Sequence, residues 1–262
     1  MIYVIKLQTI FRRFICRFAC LLKKKLKTTD KVLDLAPHNY RDKANMNFQD
    51  YPITIGLIIA NVIFSFIGFS NHTVVDKTIM WPYRVARENQ YHRFITSGFL
   101  HADWMHLIFN MFTLFFFGSN LEMYFNILGL GGNISYLLLY FLGLIISDIP
   151  SYIKHKDDYN YRSLGASGAV SAVVFATIVF SPWSSIYIYG ALKISAAVYA
   201  VLYVVYCVYM GKKSGDHVNH DAHLWGSLFG LVFTIVLIAV VNPGLFGGII
   251  DQLKNPSLFG RG

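Results

Sequence analysis

Three short stretches carry polar side chains that fit one kind of chemistry. Ser167 lies in the small-residue stretch GASGA, and His223 lies in AHLWGSLFG. His106 and Asn110 lie four residues apart in HADWMHLIFN. A serine activated by a histidine is a nucleophile for acyl transfer, and imidazole and amide N–H groups can stabilise the oxyanion that forms. These residue types indicate serine hydrolase chemistry, provided that the fold brings them together.

Helical spacing predicts which of these side chains share a face. If 102–119 is a helix, His106 and Asn110 lie about one turn apart and aim two donors at a single point. His101 precedes His106 by five residues, so its side chain is expected to be rotated away from that face. His101 therefore need not join the pair.

Small residues accompany both reactive side chains. On the segment that bears His223, glycines follow at three and seven residues, which places them on the same helix face. The segment that bears Ser167 is also rich in glycine and alanine. Helices with such faces approach each other closely, which predicts hydrogen-bond contact between the serine and the histidine. The glycines assigned to this support are Gly165, Gly168, Gly226 and Gly230.

The predicted mechanism is a catalytic dyad. His223, as the neutral imidazole, accepts the proton of Ser167 while the hydroxyl attacks a peptide carbonyl, and then returns it to the leaving amine. His106, Asn110 and the backbone N–H of Ser167 are the predicted oxyanion donors. The sequence places no carboxylate where it would complete a triad.

The composition indicates a membrane protein. Of the 262 residues, 55% are hydrophobic and only 14% are charged, whereas a soluble domain carries about a quarter charged residues. Six apolar segments approach the length needed to cross about 30 Å of hydrocarbon. The predicted fold is an all-α membrane protein with six transmembrane helices. The segments lie at about 53–69, 102–119, 134–150, 165–181, 194–210 and 222–241.

The connection at about 70–101 is long, aromatic and contains WPYR. It is predicted to form short helices embedded in the membrane surface. The domain organisation is thus a basic leader, 1–45, a six-helix domain, 46–245, and a short tail, 246–262.

The leader holds 11 of the 23 Lys and Arg residues of the chain against three acidic residues. A basic, aromatic segment can lie on anionic lipid as a surface helix. Translation from Met46 is an equally weighted alternative. Because the rest of the chain is nearly neutral, the high net charge does not indicate a nucleic-acid partner. Charge alone leaves the orientation open, since the count of Lys and Arg favours a cytoplasmic N-terminus only when the leader is included.

A histidine-ligated metal enzyme is a rival hypothesis. His217, His220 and His223 are spaced by three residues, and Asp216 and Asp221 offer oxygen ligands. The sequence lacks HExxH, however, and the first two histidines fall in a polar connection. The prediction therefore assigns no metal and no organic cofactor. Simple packing roles for the serine, the histidines and the asparagine are the other alternative.

The three motifs resemble those of the rhomboid proteases. HADWMHLIFN begins at His101, GASG at Gly165 and AHLWGSLFG at Ala222, in the order found in that family. The resemblance covers about 50–241. It implies a six-helix bundle with cytoplasmic termini, a dyad of the serine and the last histidine, and oxyanion contacts from the second histidine and the asparagine of the first motif.

The resemblance also implies roles for two residues outside the motifs. Glu122 follows the second predicted span and matches a glutamate that braces the first loop in relatives. Arg93 looks like the arginine of a Trp-Arg pair in that loop, although His92 stands here in place of the tryptophan.

The implied substrates are single-span proteins of the bilayer, cut within or beside the span. The implied location is the bacterial inner (plasma) membrane, as a multi-pass protein with a cytoplasmic N-terminus. The oligomeric state is not implied. A catalytically silent rhomboid-like protein that binds membrane clients is the alternative, and it would be expected to lack Ser167 or His223.

Overall fold

The computed structural model describes residues 51–188, 192–213 and 218–256 together with Phe259. The predicted leader lies outside the described residues, as do Asp216 and His217 of the metal hypothesis.

The described part of the chain is mostly helical. The helices are α1 (Pro52–Ser70), α2 (His72–Thr78), α3 (Pro82–Glu88), α4 (Arg93–Thr96), α5 (Trp104–Thr113), α6 (Ser119–Ile127), α7 (Gly132–His155), α8 (Ser167–Phe180), α9 (Ala196–Gly211), α10 (His220–Val241) and α11 (Leu245–Leu253). A 3₁₀ turn, Ser97–Phe99, follows α4, and a π-helical turn, Leu114–Gly118, joins α5 to α6.

The prediction of an all-α fold is wrong in one detail. Two short strands, β1 (Ser185–Ile188) and β2 (Leu192–Ser195), pair antiparallel between α8 and α9. Ser185 lies opposite Ser195 in this pair. Both strands are only four residues long, and Ser195 then accepts a hydrogen bond from the N–H of Val198 as the N-cap of α9. The sequence offered no alternating apolar run long enough to predict the pair.

Apolar helices make this an integral membrane protein. Three of the described helices, α1, α7 and α10, are long and apolar enough to cross a bilayer, while α8 and α9 are apolar but shorter. A helix lies at each of the six predicted segments, but six crossings stay a prediction. Large apolar side chains such as Val201 and Val205 on α9 point outward. Such outward apolar faces suit contact with lipid.

α8 is the central helix of the bundle. Twelve of its 14 residues are buried, as expected for a helix that is apolar all round. It lies between α7 and α10, and small residues allow both neighbours to come close. A Cβ added to Gly143 of α7 would lie 3.2 Å from the Cα of Ala169. The residue that begins this central helix is Ser167.

The first connection contains the short helices that its sequence predicted, α2, α3 and α4. Trp81 is buried between the guanidinium groups of Arg84 and Arg162, which lie 4.2 and 3.9 Å from its ring centroid. Its indole N–H donates to the carbonyl of Tyr159 at 3.0 Å. These contacts attach the first connection to the segment that leads into α8.

Arg93 is buried inside the first connection. Its Nη1 donates to the carbonyls of Asp76 and Ile79 at 2.8 and 2.7 Å, and its Nε donates to Oε1 of Gln90 at 2.6 Å. Backbone carbonyls thus accept from the guanidinium in a loop where His92 replaces the expected tryptophan.

Glu122 has a different partner from the one expected. The resemblance implied a contact with the first loop, but the carboxylate accepts from the N–H groups of Ile53 and Thr54 at 2.9 and 2.8 Å and from the Thr54 hydroxyl at 2.7 Å. The helix continues beyond the predicted end of the second span and carries Glu122 to the start of α1. A carboxylate is favourable there, because the first N–H groups of a helix lack partners within it.

The predicted tail contains all of α11 except its first residue. Leu245 and Ile249 of this helix join the main core, and the indole N–H of Trp183 donates to the carbonyl of Gln252 at 2.7 Å. The predicted domain boundary at 245 therefore falls at the start of a helix that packs on the bundle.

Candidate active site

The segment before α8 holds Ser167 in a fixed position. Met80 and Ser163 exchange two backbone hydrogen bonds of 3.0 Å, and the N–H of Gly165 donates to the carbonyl of Ser97 at 3.1 Å. Gly165 has φ of +125°, a conformation that L side chains rarely adopt, so a glycine is needed at this point. The chain then enters the helix, and Ser167 is its first residue.

Two glycines of α10 allow it to lie directly against α8. A Cβ added to Gly226 would meet the carbonyl carbon of Gly168 at 2.8 Å, and one added to Gly230 would meet the Cα of Ala172 at 2.6 Å. The contact is therefore backbone against backbone. The contact between Gly168 and Gly226 lies one residue after Ser167 and three residues after His223. The beginnings of α8 and α10 therefore meet close to the two residues with reactive side chains.

The ring of His223 is stacked on Tyr203 of α9. The ring centroids are 6.3 Å apart with an angle of 23° between the planes. The hydroxyls of Tyr203 and Ser171 lie within hydrogen-bond distance of each other, at 3.2 Å. Sequence reasoning missed Tyr203, because α9 carries several tyrosines and the spacing does not indicate which of them faces α10.

His106 lies against the turn that precedes Ser167. A Cβ added to Gly165 would meet Cε1 and Nε2 of the His106 ring at 2.6 and 2.9 Å. The N–H of Ala102 donates to Nδ1 of the same ring at 3.5 Å, which favours the tautomer with its proton on Nε2. Asp103 caps α5 by accepting from the backbone N–H of His106 at 2.8 Å. The Nε2 donor thus faces the entrance to α8.

Asn110 lies one turn beyond His106 and is buried. Its Nδ2 donates to the carbonyl of His106 at 3.0 Å. This bond uses one of the two N–H donors of the amide and orients the group along the helix.

The expectation for His101 was wrong. Its ring lies 4.9 Å from that of His106, measured between centroids, and its Nδ1 lies 2.8 Å from the hydroxyl of Ser65. The helix begins only at Trp104, so the spacing of His101 from His106 does not follow helical rotation.

A small recess, partly open to its surroundings and with room for about one water molecule, adjoins Ser167. Polar side chains from α7 and from the segment before α10 contribute to its lining, and no sequence motif indicated them. The lining residues are Leu144, Ser147, Asp148, Ser163, Leu164, Gly165, Ser167, Gly168, Asn219 and Ala222. The recess is thus shared by the segment that bears Ser167 and the residue that precedes His223.

Charged and titratable groups lie near the ends of α7 and α10 and in the connection between α7 and α8. Burial raises the pKa of Tyr161, which keeps the phenol protonated near neutral pH. Lys154 and Asp221 form an ion pair of 3.3 Å between α7 and α10. Because Lys154 is exposed, this pair contributes at most about 1 kcal/mol to stability.

One group of side chains in the described part of the chain could hold a metal ion. Sγ of Cys207 and a ring nitrogen of each of His220 and His223 lie within 4.8 Å of one another. Asp221, an oxygen ligand in the metal hypothesis, pairs with Lys154 instead.

Comparison with known protein families gives a clear match. The Rhomboid domain matches residues 88–240, which is more than half of the chain. The chain belongs to the rhomboid family. The region matched to rhomboids includes α5, α8 and α10, which carry His106, Ser167 and His223.

Named rhomboid relatives occur in bacteria and in organelles. The chain is 27% identical over 203 residues to "Putative rhomboid protease YdcA" of Bacillus subtilis (strain 168), covering 73% of this chain and 94% of that protein. It is 26% identical over 189 residues to "RHOMBOID-like protein 12, mitochondrial" of Arabidopsis thaliana, covering 68% and 56%. A third relative, "Rhomboid-like protein 11, chloroplastic" of the same plant, is 28% identical over 219 residues, covering 78% and 73%. This rhomboid thus spans little more than half the length of its mitochondrial relative.

Proposed function

We propose that the protein is an intramembrane serine endopeptidase that cleaves single-span membrane proteins within or next to the span. The observation that carries this proposal is the direct contact between α8 and α10 at Gly168 and Gly226. It brings together the beginnings of two helices, one bearing Ser167 and the other His223. Membership of the rhomboid family supports the same activity.

In the proposed reaction, Ser167 attacks the scissile carbonyl and His223 accepts the hydroxyl proton. The same imidazole then protonates the leaving amine, and a water molecule hydrolyses the acyl-enzyme by the reverse sequence. Stacking on Tyr203 supports the orientation of the imidazole ring.

The proposed oxyanion site is formed by His106, Asn110 and the backbone N–H of Ser167. That N–H belongs to the first turn of α8, where it has no acceptor within the helix. Nε2 of His106 faces the turn just before it. Donors fixed before the reaction stabilise the transition state without further reorganisation.

The short length of α8 supports a site below the membrane surface. Its 14 residues span about 21 Å, less than the roughly 30 Å of hydrocarbon. We propose six membrane crossings, at α1, α5–α6, α7, α8, α9 and α10, with the helices of the first connection embedded in the surface above. The recess beside Ser167 then provides a path for water. A substrate must unwind locally, because the carbonyls of an intact helix are already hydrogen-bonded.

The proposed orientation places both termini in the cytoplasm of a bacterial cell, with the active site toward the outer face of the inner (plasma) membrane. Relatives named for mitochondria and chloroplasts belong to the same family. Family membership therefore supports a location in a membrane, and it does not distinguish a bacterial membrane from an organellar one.

A cleavage assay tests the proposal. The full-length protein is reconstituted in liposomes with a model single-span substrate, and the fragments are mapped by mass spectrometry. We expect one new pair of termini within or next to the span, and a rate at least as high after exhaustive removal of metal ions. A substrate that binds and remains intact would instead indicate a catalytically silent client binder. Loss of cleavage on metal removal would favour the metal enzyme.

Asn110→Ala is expected to lower kcat by roughly 10- to 1000-fold, because one oxyanion donor is lost. KM should change little, since the interaction strengthens in the transition state. Asn133→Ala, in the first turn of α7, is the matched control. An unchanged kcat in Asn110→Ala would remove this residue from the oxyanion site.

A further inference from the structure

Three metal-binding side chains meet at the junction of α9 and α10. Cys207 lies about one turn before the end of α9, and His220 and His223 lie in the first turn of α10. Sγ of the cysteine and a nitrogen of each imidazole lie within 4.8 Å of one another. The two imidazole rings are nearly perpendicular, with an angle of 84° and centroids 6.1 Å apart.

The donor set fits a borderline-soft ion such as Zn²⁺. One thiolate and two imidazoles, with a further position left for water, is a known type of zinc coordination. Bonds of about 2.0–2.3 Å in a tetrahedron place ligand atoms about 3.3–3.8 Å apart. The present separations therefore need to close by at most about 1.5 Å, which is within the reach of side-chain rotation. Carboxylate-preferring ions such as Mg²⁺ do not suit these ligands.

Differences in burial indicate how the ion would enter. Cys207 and His220 are buried, with 1% and 4% of their surface exposed, whereas His223 is only partly buried. An ion would therefore approach from the side of His223.

We propose that this cluster binds a zinc-class ion and that binding reversibly inhibits the protein. The inhibitory part rests on the proposed function, because it requires His223 to act as the general base. Coordination uses the lone pair with which the imidazole would accept the proton of Ser167. The thiol of Cys207 loses its proton to the solvent when the metal–sulfur bond forms.

This site differs from the metal enzyme considered from the sequence. That hypothesis grouped the two histidines with residues on the same polar connection, two of which lie outside the described residues. The present site takes its third ligand from a different helix. It also has the opposite effect on activity. The ion binds His223, the proposed general base, and does not supply the nucleophile.

Metal binding can be measured without any proteolytic assay. The purified full-length protein, freed of metal, is titrated with Co²⁺ as a spectroscopic probe for the zinc site. We expect a thiolate-to-cobalt absorption band at one equivalent, displaced by Zn²⁺. Cys207→Ala should lose the band, and His220→Gln should weaken Co²⁺ binding by at least about 10-fold. The other two cysteines of the chain are Cys16 and Cys20. A double Cys16→Ala, Cys20→Ala variant is therefore the matched control and should retain the band.

The inhibitory part is tested in the liposome assay. Zn²⁺ should inhibit cleavage by the parent protein, and a chelator should restore it. Cys207→Ala, compared with its own metal-free rate, should need at least about 10-fold more Zn²⁺ for the same fractional inhibition. Absence of a thiolate band in the parent protein would overturn the site whether or not the protein is a protease. If the thiolate band is present but saturating Zn²⁺ leaves the cleavage rate unchanged, the inhibitory part of the proposal is overturned. Stimulation of cleavage by Zn²⁺ would overturn it as well.

Discussion

Ser167→Ala is expected to lower the rate of substrate cleavage by at least about 10⁴-fold, below detection in most assays. The hydroxyl is the proposed nucleophile, and in serine hydrolases loss of this group removes nearly all of the acceleration that the dyad supplies. The side chain is partly exposed at the first residue of α8 and differs from alanine by one oxygen atom. The fold should therefore persist, and the thermal stability of the purified variant should remain close to that of the parent.

The matched control is Ser70→Ala, which changes a serine of the same kind at the exposed end of α1. This variant should cleave the substrate at the parent rate. Residual cleavage above about 1% in a folded Ser167→Ala protein would refute its role as nucleophile. His223→Ala is expected to show the same loss, and His72→Ala serves as its control because His72 is exposed in the first turn of α2.

Gly226→Ala is expected to lower cleavage by at least about 100-fold although residue 226 is not one of the proposed reacting groups. The added methyl group would overlap the carbonyl group of Gly168, and it would lie 3.1 Å from the Cα of Gly168. Because these are backbone atoms, α10 must move away from α8, and His223 moves with it. A displacement of about 1 Å between reacting groups costs roughly 10²-fold in rate. Overpacking of this kind also costs about 1–3 kcal/mol in stability.

Gly56→Ala is the matched control, because nothing lies within 4 Å of a Cβ added at that position of α1. It should retain the parent rate and stability. The loss in Gly226→Ala should appear mainly in kcat, because the groups that the displacement separates act in the chemical step. A folded Gly226→Ala protein with parent activity would show that close approach of α8 and α10 is not required, and it would contradict the structural basis of the proposed dyad.

The close approach of α8 and α10 was predictable from the positions of their small residues. The three- and seven-residue spacing after His223 predicted a glycine face, and the structure has that face in contact with Gly168 and Ala172. The match of the Rhomboid domain confirms the family suggested by the motifs. These features were predictable because they depend on helical periodicity within long apolar segments. The catalytic roles themselves remain predictions.

Features that depend on where a helix begins or ends were not predictable. The rotation assigned to His101 assumed a helix from residue 102, whereas α5 begins at Trp104. Glu122 reaches the start of α1 because its helix continues to Ile127, past the predicted end of the span. In both cases a shift of a few residues in a boundary changed the partner of a polar side chain.

Contacts between segments distant in the chain were also beyond the sequence. Tyr203 of α9 stacks on His223. The guanidinium of Arg162, in the segment before α8, packs on the ring of Trp81. Aromatic residues are common in both regions, and no periodicity distinguishes the one that makes the contact. The approach of Cys207 to His220 has the same cause, since it depends on the register of two antiparallel helices.

Covalent labelling of the purified protein by a fluorophosphonate tests the central claim most directly. The reagent phosphonylates a serine only when its hydroxyl is activated by a base. We predict a single adduct on Ser167, mapped by mass spectrometry, that forms in the parent protein and is lost in His223→Ala. An adduct on another serine, or labelling of Ser167 that proceeds equally well without His223, would contradict the proposed dyad.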